Sequence, residues 1–302
     1  MPAAPAPTSP ARPSGKNALP PVSSRASRSP VPEAARAKPP IGVFDSGVGG
    51  LSILKSLRAE LPHEDFVYVA DSGFAPYGER DEGFVVARAR TITRHLLREP
   101  QLAIQALVIA CNTATAAAIH LLRQDQPDLP IIGVEPALKP AIALSQTRRI
   151  GVMATRGTLN SQKFKALLAG LADQAQFICQ PCDGLADAIE RNDTAAINEL
   201  GRQYTGAMGQ FGTQAGDIDT LVLGCTHYPF ASEQLQPLVG SGVRLVDNGE
   251  PVARQTRRML ARLSSDSAPG QCLLFSTGDP AILQTAARHW LGLGVPVKRL
   301  RI

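Results

Sequence analysis

From residue 41 onward the chain is punctuated by short apolar runs: IGVF (41–44), FVYV (66–69), ALVI (106–109), IIGV (131–134), IGVM (150–153), LVL (221–223) and VRLV (243–246). Runs that are apolar without alternation predict strands covered on both faces, as in parallel sheets. The segments between them carry helical spacing instead. Val85, Ala89, Ile92 and Leu96 form one such stripe, and Ile197, Leu200, Tyr204, Met208 and Phe211 another. Strand and helix in alternation predict an α/β fold with doubly wound parallel sheets.

The pattern also echoes itself. IGVFDSGVGG begins at Ile41 and IGVMATRGT at Ile150, 109 residues later, while Cys111 and Cys225 lie 114 residues apart. A strand opens each unit and a cysteine ends a later strand, which predicts two similar lobes related by a pseudo-two-fold axis. The expected division is residues 41–139 with 249–302 in the first lobe and 140–248 in the second, with the cleft between them as the site.

Composition changes the picture mainly at one end. Residues 1–40 hold 11 of the 25 prolines, six Lys or Arg and one acid, and almost no large apolar side chains. Such a segment cannot bury enough surface to offset its ordering entropy, so a disordered Pro/Ala/Ser/Arg-rich tail is expected. Its net charge of +5 equals that of the whole 302-residue chain, leaving the body neutral. The body shows no basic stripe, which argues against nucleic-acid binding. No apolar run is long enough for a spanning helix or an export signal. The five cysteines, an odd number in a long chain, do not suggest a disulfide framework. A cytoplasmic protein is expected.

The candidate chemistry gathers at the ends of the strands, where open α/β sheets bind ligands. DSGVGG (45–50) follows one strand and precedes a helical pattern, placing backbone N–H groups to meet an anion such as a substrate carboxylate. It departs from both dinucleotide and Walker fingerprints. Asp71 ends the next strand, and Pro76, Tyr77 and Gly78 form a turn able to present a phenol or free amides. Cys111 with Asn112 and Thr113, and Cys225 with Thr226 and His227, close two later strands. Cys111 precedes a helical run whose N-terminus favours a thiolate. Opposed lobes would set the two sulfurs on opposite faces of one bound molecule, one to remove a proton and the other to deliver one. Two inert buried cysteines, a single thiol nucleophile assisted by His227, and a zinc site of Cys111, Cys225 and His227 remain alternatives. Cys179 and Cys182 have C-x-x-C spacing, a weak metal or redox signal.

With these residues assembled, the chain resembles the glutamate racemase family of the aspartate/glutamate racemase superfamily across residues 41–302. DSGVGG (45–50), PYG (76–78), ACNTAT (110–115), GVEPALKPA (133–141), IGVMATRGT (150–158) and LGCTHYP (223–229) carry the resemblance. It implies cofactor-independent interconversion of L- and D-glutamate by two cysteines, supplying D-glutamate for peptidoglycan, in a homodimer. By position, Cys111 and Cys225 would be the acid/base pair, assisted by Asp45 and His227. Substrate contacts would come from Asp45, Ser46, Tyr77, Gly78, Asn112, Thr113, Thr226 and His227. Glu190 in GLADAIER resembles the family's further acidic residue. Asp71 and Ser72 stand where the family often has Asp-Thr, a change that keeps the hydroxyl. A racemase of aspartate or another small amino acid, or a two-lobed binding protein without chemistry, would use the same framework.

Overall fold

The computed structural model describes residues 39–260 and 268–302. The expectation for the tail falls almost entirely on residues 1–38, which lie outside the described residues.

Ten strands are described: β1 Ile41–Asp45, β2 Phe66–Ala70, β3 Ala106–Ile109, β4 Ile131–Gly133, β5 Arg149–Ala154, β6 Gln176–Pro181, β7 Thr220–Leu223, β8 Arg244–Val246, β9 Cys272–Ser276 and β10 Val297–Arg299. The helices are α1 Leu51–Glu60, α2 Glu82–Arg98, α3 Asn112–Asp125, α4 Leu138–Leu144, α5 Arg156–Asn160, α6 Gln162–Ala169, α7 Leu185–Glu190, α8 Thr194–Met208, α9 Ser232–Val239, α10 Gly249–Met259 and α11 Pro280–Leu291. Short 3₁₀ turns cover Tyr77–Glu79 and Tyr228–Ala231. Among the described residues no helix is long and apolar enough to cross a membrane.

The strands form two all-parallel sheets, ordered β10-β9-β2-β1-β3-β4 and β6-β5-β7-β8. The order β2-β1-β3-β4 in the first repeats as β6-β5-β7-β8 in the second. Registers match as well: Ile41 pairs with Phe66 and Ala106, and Ile150 with Phe177 and Thr220. In each sheet the order reverses between the first strand and its two neighbours. The crevice outside the carboxyl ends is there the natural ligand site. The chain passes from the first sheet to the second after β4 and returns after β8.

Each sheet is buried on both faces, which is why its central strands read as unbroken apolar runs. In the first, α1, α10 and α11 pack one face through Leu54, Val252 and Leu283, and α2 and α3 pack the other through Ile92 and Ala118. In the second, α7, α8 and α9 cover one face and α4 and α6 the other. The helical stripe predicted on α8 ends early. Gly209, at φ 111° in the left-handed region, stops the helix, and Phe211 sits beyond it in an isolated bridge with Ile218. Three strands were not foreseen. β6 is a half-exposed edge with glutamines and a proline, and β10 is a three-residue edge; neither has a buried strand's pattern. β9, Cys272–Ser276, is apolar and as long as β1 and β2, but only its alternate residues are buried.

The turn between α4 and β5 is pinned by one buried acid. Asp219 accepts hydrogen bonds from the Ser145 hydroxyl (2.6 Å), the Gln146 and Thr147 amides (2.6 and 3.0 Å) and the Thr220 hydroxyl (3.0 Å). Within that turn Arg148 takes φ 59°, an unfavourable conformation for a side chain, which these bonds hold in place. Burial alone would raise the Asp219 pKa, but the Ser145, Thr147, Gln146 and Thr220 donors outweigh it and hold it below the ordinary value. A depressed folded-state pKa stabilises the fold above the unfolded value near 3.9, and the contribution is lost as pH falls through the folded value. Asp219→Asn is therefore expected to cost about 1–3 kcal/mol at neutral pH. In denaturant titrations the gap to wild type should narrow progressively below about pH 4.

Candidate active site

One cavity of about 250 Å³ opens where the carboxyl ends of the two sheets meet. Every site residue named from the sequence lines it: Asp45, Ser46, Tyr77, Gly78, Cys111, Asn112, Thr113, Glu190, Cys225, Thr226 and His227. The first sheet contributes the ends of β1 and β3, and the second the end of β7 and the last residue of α7. Cys111 after β3 and Cys225 after β7 thus occupy equivalent places in the two repeats.

Asp45 is fully buried at the end of β1. Its Oδ1 accepts from the Ser46 amide (2.7 Å), and its Oδ2 accepts from the Gly50 amide and, across the cleft, from the Thr226 hydroxyl (3.2 Å). Ser52 Oγ adds a second bridge, donating to the Thr226 carbonyl at 2.8 Å. Glu190 reaches back from the other lobe. One of its oxygens accepts from the Val48 amide (3.3 Å) and from His227 Nε2 (2.8 Å), and the other from Ser72 Oγ (3.4 Å).

The glycine loop consequently differs from its expected role. The amides of Ser46, Val48 and Gly50 are occupied by the protein's own carboxylates, Asp45 and Glu190, rather than left open for a substrate anion. The glycines are needed because the opposite lobe lies against them. A Cβ at Gly47 would come within 2.1 Å of Glu190 Oε2, and one at Gly49 within 2.2 Å of His227 Nδ1. Tyr77 also turns out differently. Its ring is buried and its hydroxyl donates to Asp71, so the 77–78 segment does not offer the cleft a free phenol.

The two sulfurs have unlike surroundings. Cys111 caps α3 and accepts from the Ala114 amide at 3.5 Å, and it lies 3.9 Å from Ser46 Oγ. The helix N-terminus was expected to favour its thiolate. Burial, followed by the nearby Asp45 charge, outweighs that amide and pushes the Cys111 thiol well up, with Cys225 adding a smaller push in the same direction. Cys225 Sγ lies 3.8 Å from His227 Nδ1, and the ring's other nitrogen meets Glu190. Burial alone would favour the neutral imidazole, but the bonds to Cys225 and Glu190 outweigh it and raise the His227 pKa well above the ordinary value. The Asp45 pKa is raised chiefly by burial, against the opposing pull of His227 and of hydrogen bonds from Cys111 and Ser46.

Asn112 Oδ1 is buried and makes no hydrogen bond within the described residues. Thr155, also on the cavity wall, shares a 3.0 Å hydrogen bond with Thr113 across the cleft. It was missed from the sequence, although the repeat contained the signal: the 109-residue offset carries Ser46 onto Thr155. Ser72 and Cys182 line the cavity too. Cys182 is buried and Cys179 half-buried, and both are free thiols.

Comparison with known proteins accords with this arrangement. A profile of the family described as Asp/Glu/Hydantoin racemase matches residues 41–256. The glutamate racemase of Cupriavidus pinatubonensis is 49% identical over 268 residues, covering 87% of this chain and 95% of its own. Among solved structures, the glutamate racemase isoform RacE1 of Bacillus anthracis superimposes with a TM-score of 0.77 at 31% identity, covering 87% of this chain and 98% of its own. The Escherichia coli glutamate racemase, solved in complex with L-glutamate, gives 0.72 at 30% identity, covering 87% of this chain and 98% of its own.

The Glu190 bond has a measurable consequence for its neighbour. Glu190→Gln removes a charge that favours the imidazolium while leaving the ring buried, so the His227 pKa is expected to fall. An NMR titration of the His227 ring carbons in the wild type and in Glu190→Gln checks this, and an unchanged or higher value would contradict the pairing.

Proposed function

The chain belongs to the Asp/Glu/hydantoin racemase family, and from that membership and the cleft we infer that it interconverts L- and D-glutamate, with Cys111 and Cys225 as the two bases. The observation that carries the assignment is the placement of two cysteines, at equivalent strand ends of a duplicated fold, on the wall of one small cavity. In bacteria that make peptidoglycan the D-enantiomer is a wall precursor.

Racemisation needs the α-proton removed from one face of the amino acid and another returned to the opposite face. One sulfur must begin as thiolate and the other as thiol, with the states exchanged in the product complex. The Cys111 surroundings favour the thiol, so in one direction this residue delivers the proton. His227, hydrogen-bonded to Glu190, lies within reach of Cys225 and is placed to exchange a proton with it. Asp45 stands in the corresponding relation to Cys111, through their electrostatic contact and the shared Ser46.

The carbanion-like transition state carries charge that donors aimed in advance must stabilise. Ser46 and Thr113 supply hydroxyls on the cavity wall, while the Thr226 hydroxyl is committed to Asp45. The lobes, residues 41–139 with 249–302 and residues 140–248, are proposed to part and close over the substrate. The contacts that span the cleft, Ser52 to Thr226, Thr226 to Asp45 and Glu190 to Val48, would define the closed position.

Incubation with L-glutamate in heavy water is expected to place deuterium at Cα as D-glutamate appears, read by NMR and chiral chromatography. L-aspartate run alongside should show no comparable exchange; faster exchange with aspartate would transfer the assignment to that substrate. Cys111→Ala and Cys225→Ala are each expected to lower racemisation by at least about a thousandfold while circular dichroism stays native. Near-normal turnover by either variant would refute the two-base scheme.

A further inference from the structure

Behind the Tyr77–Gly78 wall of the cavity lies an ion pair that the chemistry above does not use. Asp71, at the end of β2, is fully buried, and its amide donates to the Asp45 carbonyl at 2.9 Å. Its carboxylate collects four side-chain donations. Tyr77 supplies its hydroxyl, Thr277 its hydroxyl at 2.9 Å, and Arg88 of α2 both Nε (2.9 Å) and a terminal nitrogen (2.8 Å). The Arg88 side chain is only 11% exposed. Its guanidinium also lies 3.6 Å over the Phe74 ring and donates to the Ile302 carbonyl at 3.3 Å. Arg88 does not line the cavity, yet it holds the segment that does at two points, Asp71 and Phe74.

We propose that Arg88 is a positioning residue for the reaction: acting through Asp71, it locks the Tyr77 side chain and so presets the Tyr77–Gly78 wall against which the substrate binds. The physical requirement is charge compensation. A fully buried carboxylate without a cation carries a large desolvation cost, and removal of one partner of such a pair leaves the other unsatisfied. The planar fork of an arginine satisfies both oxygens at once, which a lysine ammonium cannot reproduce. With Arg88 absent, Asp71 loses two of its four side-chain donors and admits water, the hold on Tyr77 and Phe74 slackens, and segment 72–79 loosens. The ordering of that segment must then come out of the substrate's binding energy. A wall that contacts ground state and transition state alike affects KM more than kcat.

The catalytic part of this role, which rests on the glutamate chemistry proposed above, is read from steady-state kinetics in both directions. Arg88→Gln is expected to raise KM for L- and D-glutamate by roughly tenfold while kcat changes by less than about threefold. Arg88→Lys should recover only part of the loss. Because the enantiomers are isoenergetic, kcat/KM must fall equally in the two directions, an internal check on the data. Tyr77→Phe removes the link on the other side of Asp71. Adding Arg88→Gln to that variant should raise KM by clearly less than it does in the wild type, since the two act along one path.

Amide hydrogen exchange reads the positioning itself without substrate: residues 72–79 should exchange faster in Arg88→Gln, while the amides of β5 and β7 keep their protection. A variant that loses thermal stability but keeps the wild-type KM, or one whose 72–79 amides are unchanged, overturns the proposal. If Arg88→Gln does not fold, Arg88→Lys and Tyr77→Phe carry the same comparison. Inactivity of the wild type on glutamate would sink the substrate assignment alone, leaving the exchange experiment to decide the role of Arg88.

Discussion

The Asp45 carboxylate is the point on which the cleft turns. It is fully buried, so each oxygen must find donors within the protein, and those donors come from both lobes. The Ser46 and Gly50 amides tie it to its own loop, and the Thr226 hydroxyl ties it to the segment carrying Cys225. One desolvated charge thereby sets the shape of the glycine loop and the approach of the second lobe. The glycines at 47 and 49 follow from that approach, because Glu190 and His227 occupy the space that side chains would need.

A duplicated fold places two like groups at equivalent strand ends, and the two-base scheme proposed above starts them in different protonation states. The difference arises from unequal neighbours. Cys111 faces a buried carboxylate and caps a helix, whereas Cys225 faces an imidazole whose far side is held by Glu190. Glu190 and Asp45 each serve both halves: each belongs to one lobe and accepts a hydrogen bond from the other. Contact between the lobes and electrostatic asymmetry are therefore produced by the same few groups. The Phe230–Trp290 stack, with ring centres 3.7 Å apart, adds an apolar contact between α11 and the turn after β7.

Tyr77 and Arg88 illustrate how far the support of the cavity extends. The phenol reads as a ligand group within the PYG turn, yet its hydroxyl is committed to Asp71. What matters about the ring is that it is anchored. That anchor depends on a guanidinium contributed by a helix eleven residues further along, outside every recognisable motif. Support of this kind costs little in sequence signal, because an arginine on an amphipathic helix looks like any solvated charge.

Local pattern alone determined the α/β class, seven of the strands and the duplication, and it marked the strand ends that meet at the cavity. Burial on both faces of a parallel sheet writes continuous apolar runs, and strand ends at a reversal of strand order must open into a crevice, so Cys111, Cys225, Asp45 and their neighbours could be named in advance. Tertiary structure decided the rest. β6 and β10 are edges whose pairing partners, not their composition, make them strands. The Thr113–Thr155 contact formed only when the lobes met, and the Cys111 thiol is raised first by burial and then by a carboxylate 66 positions earlier, against the amide of the helix it caps. The reason is common to these cases: desolvation and charge act through space, and no periodicity along the chain records which side chains will be buried against one another.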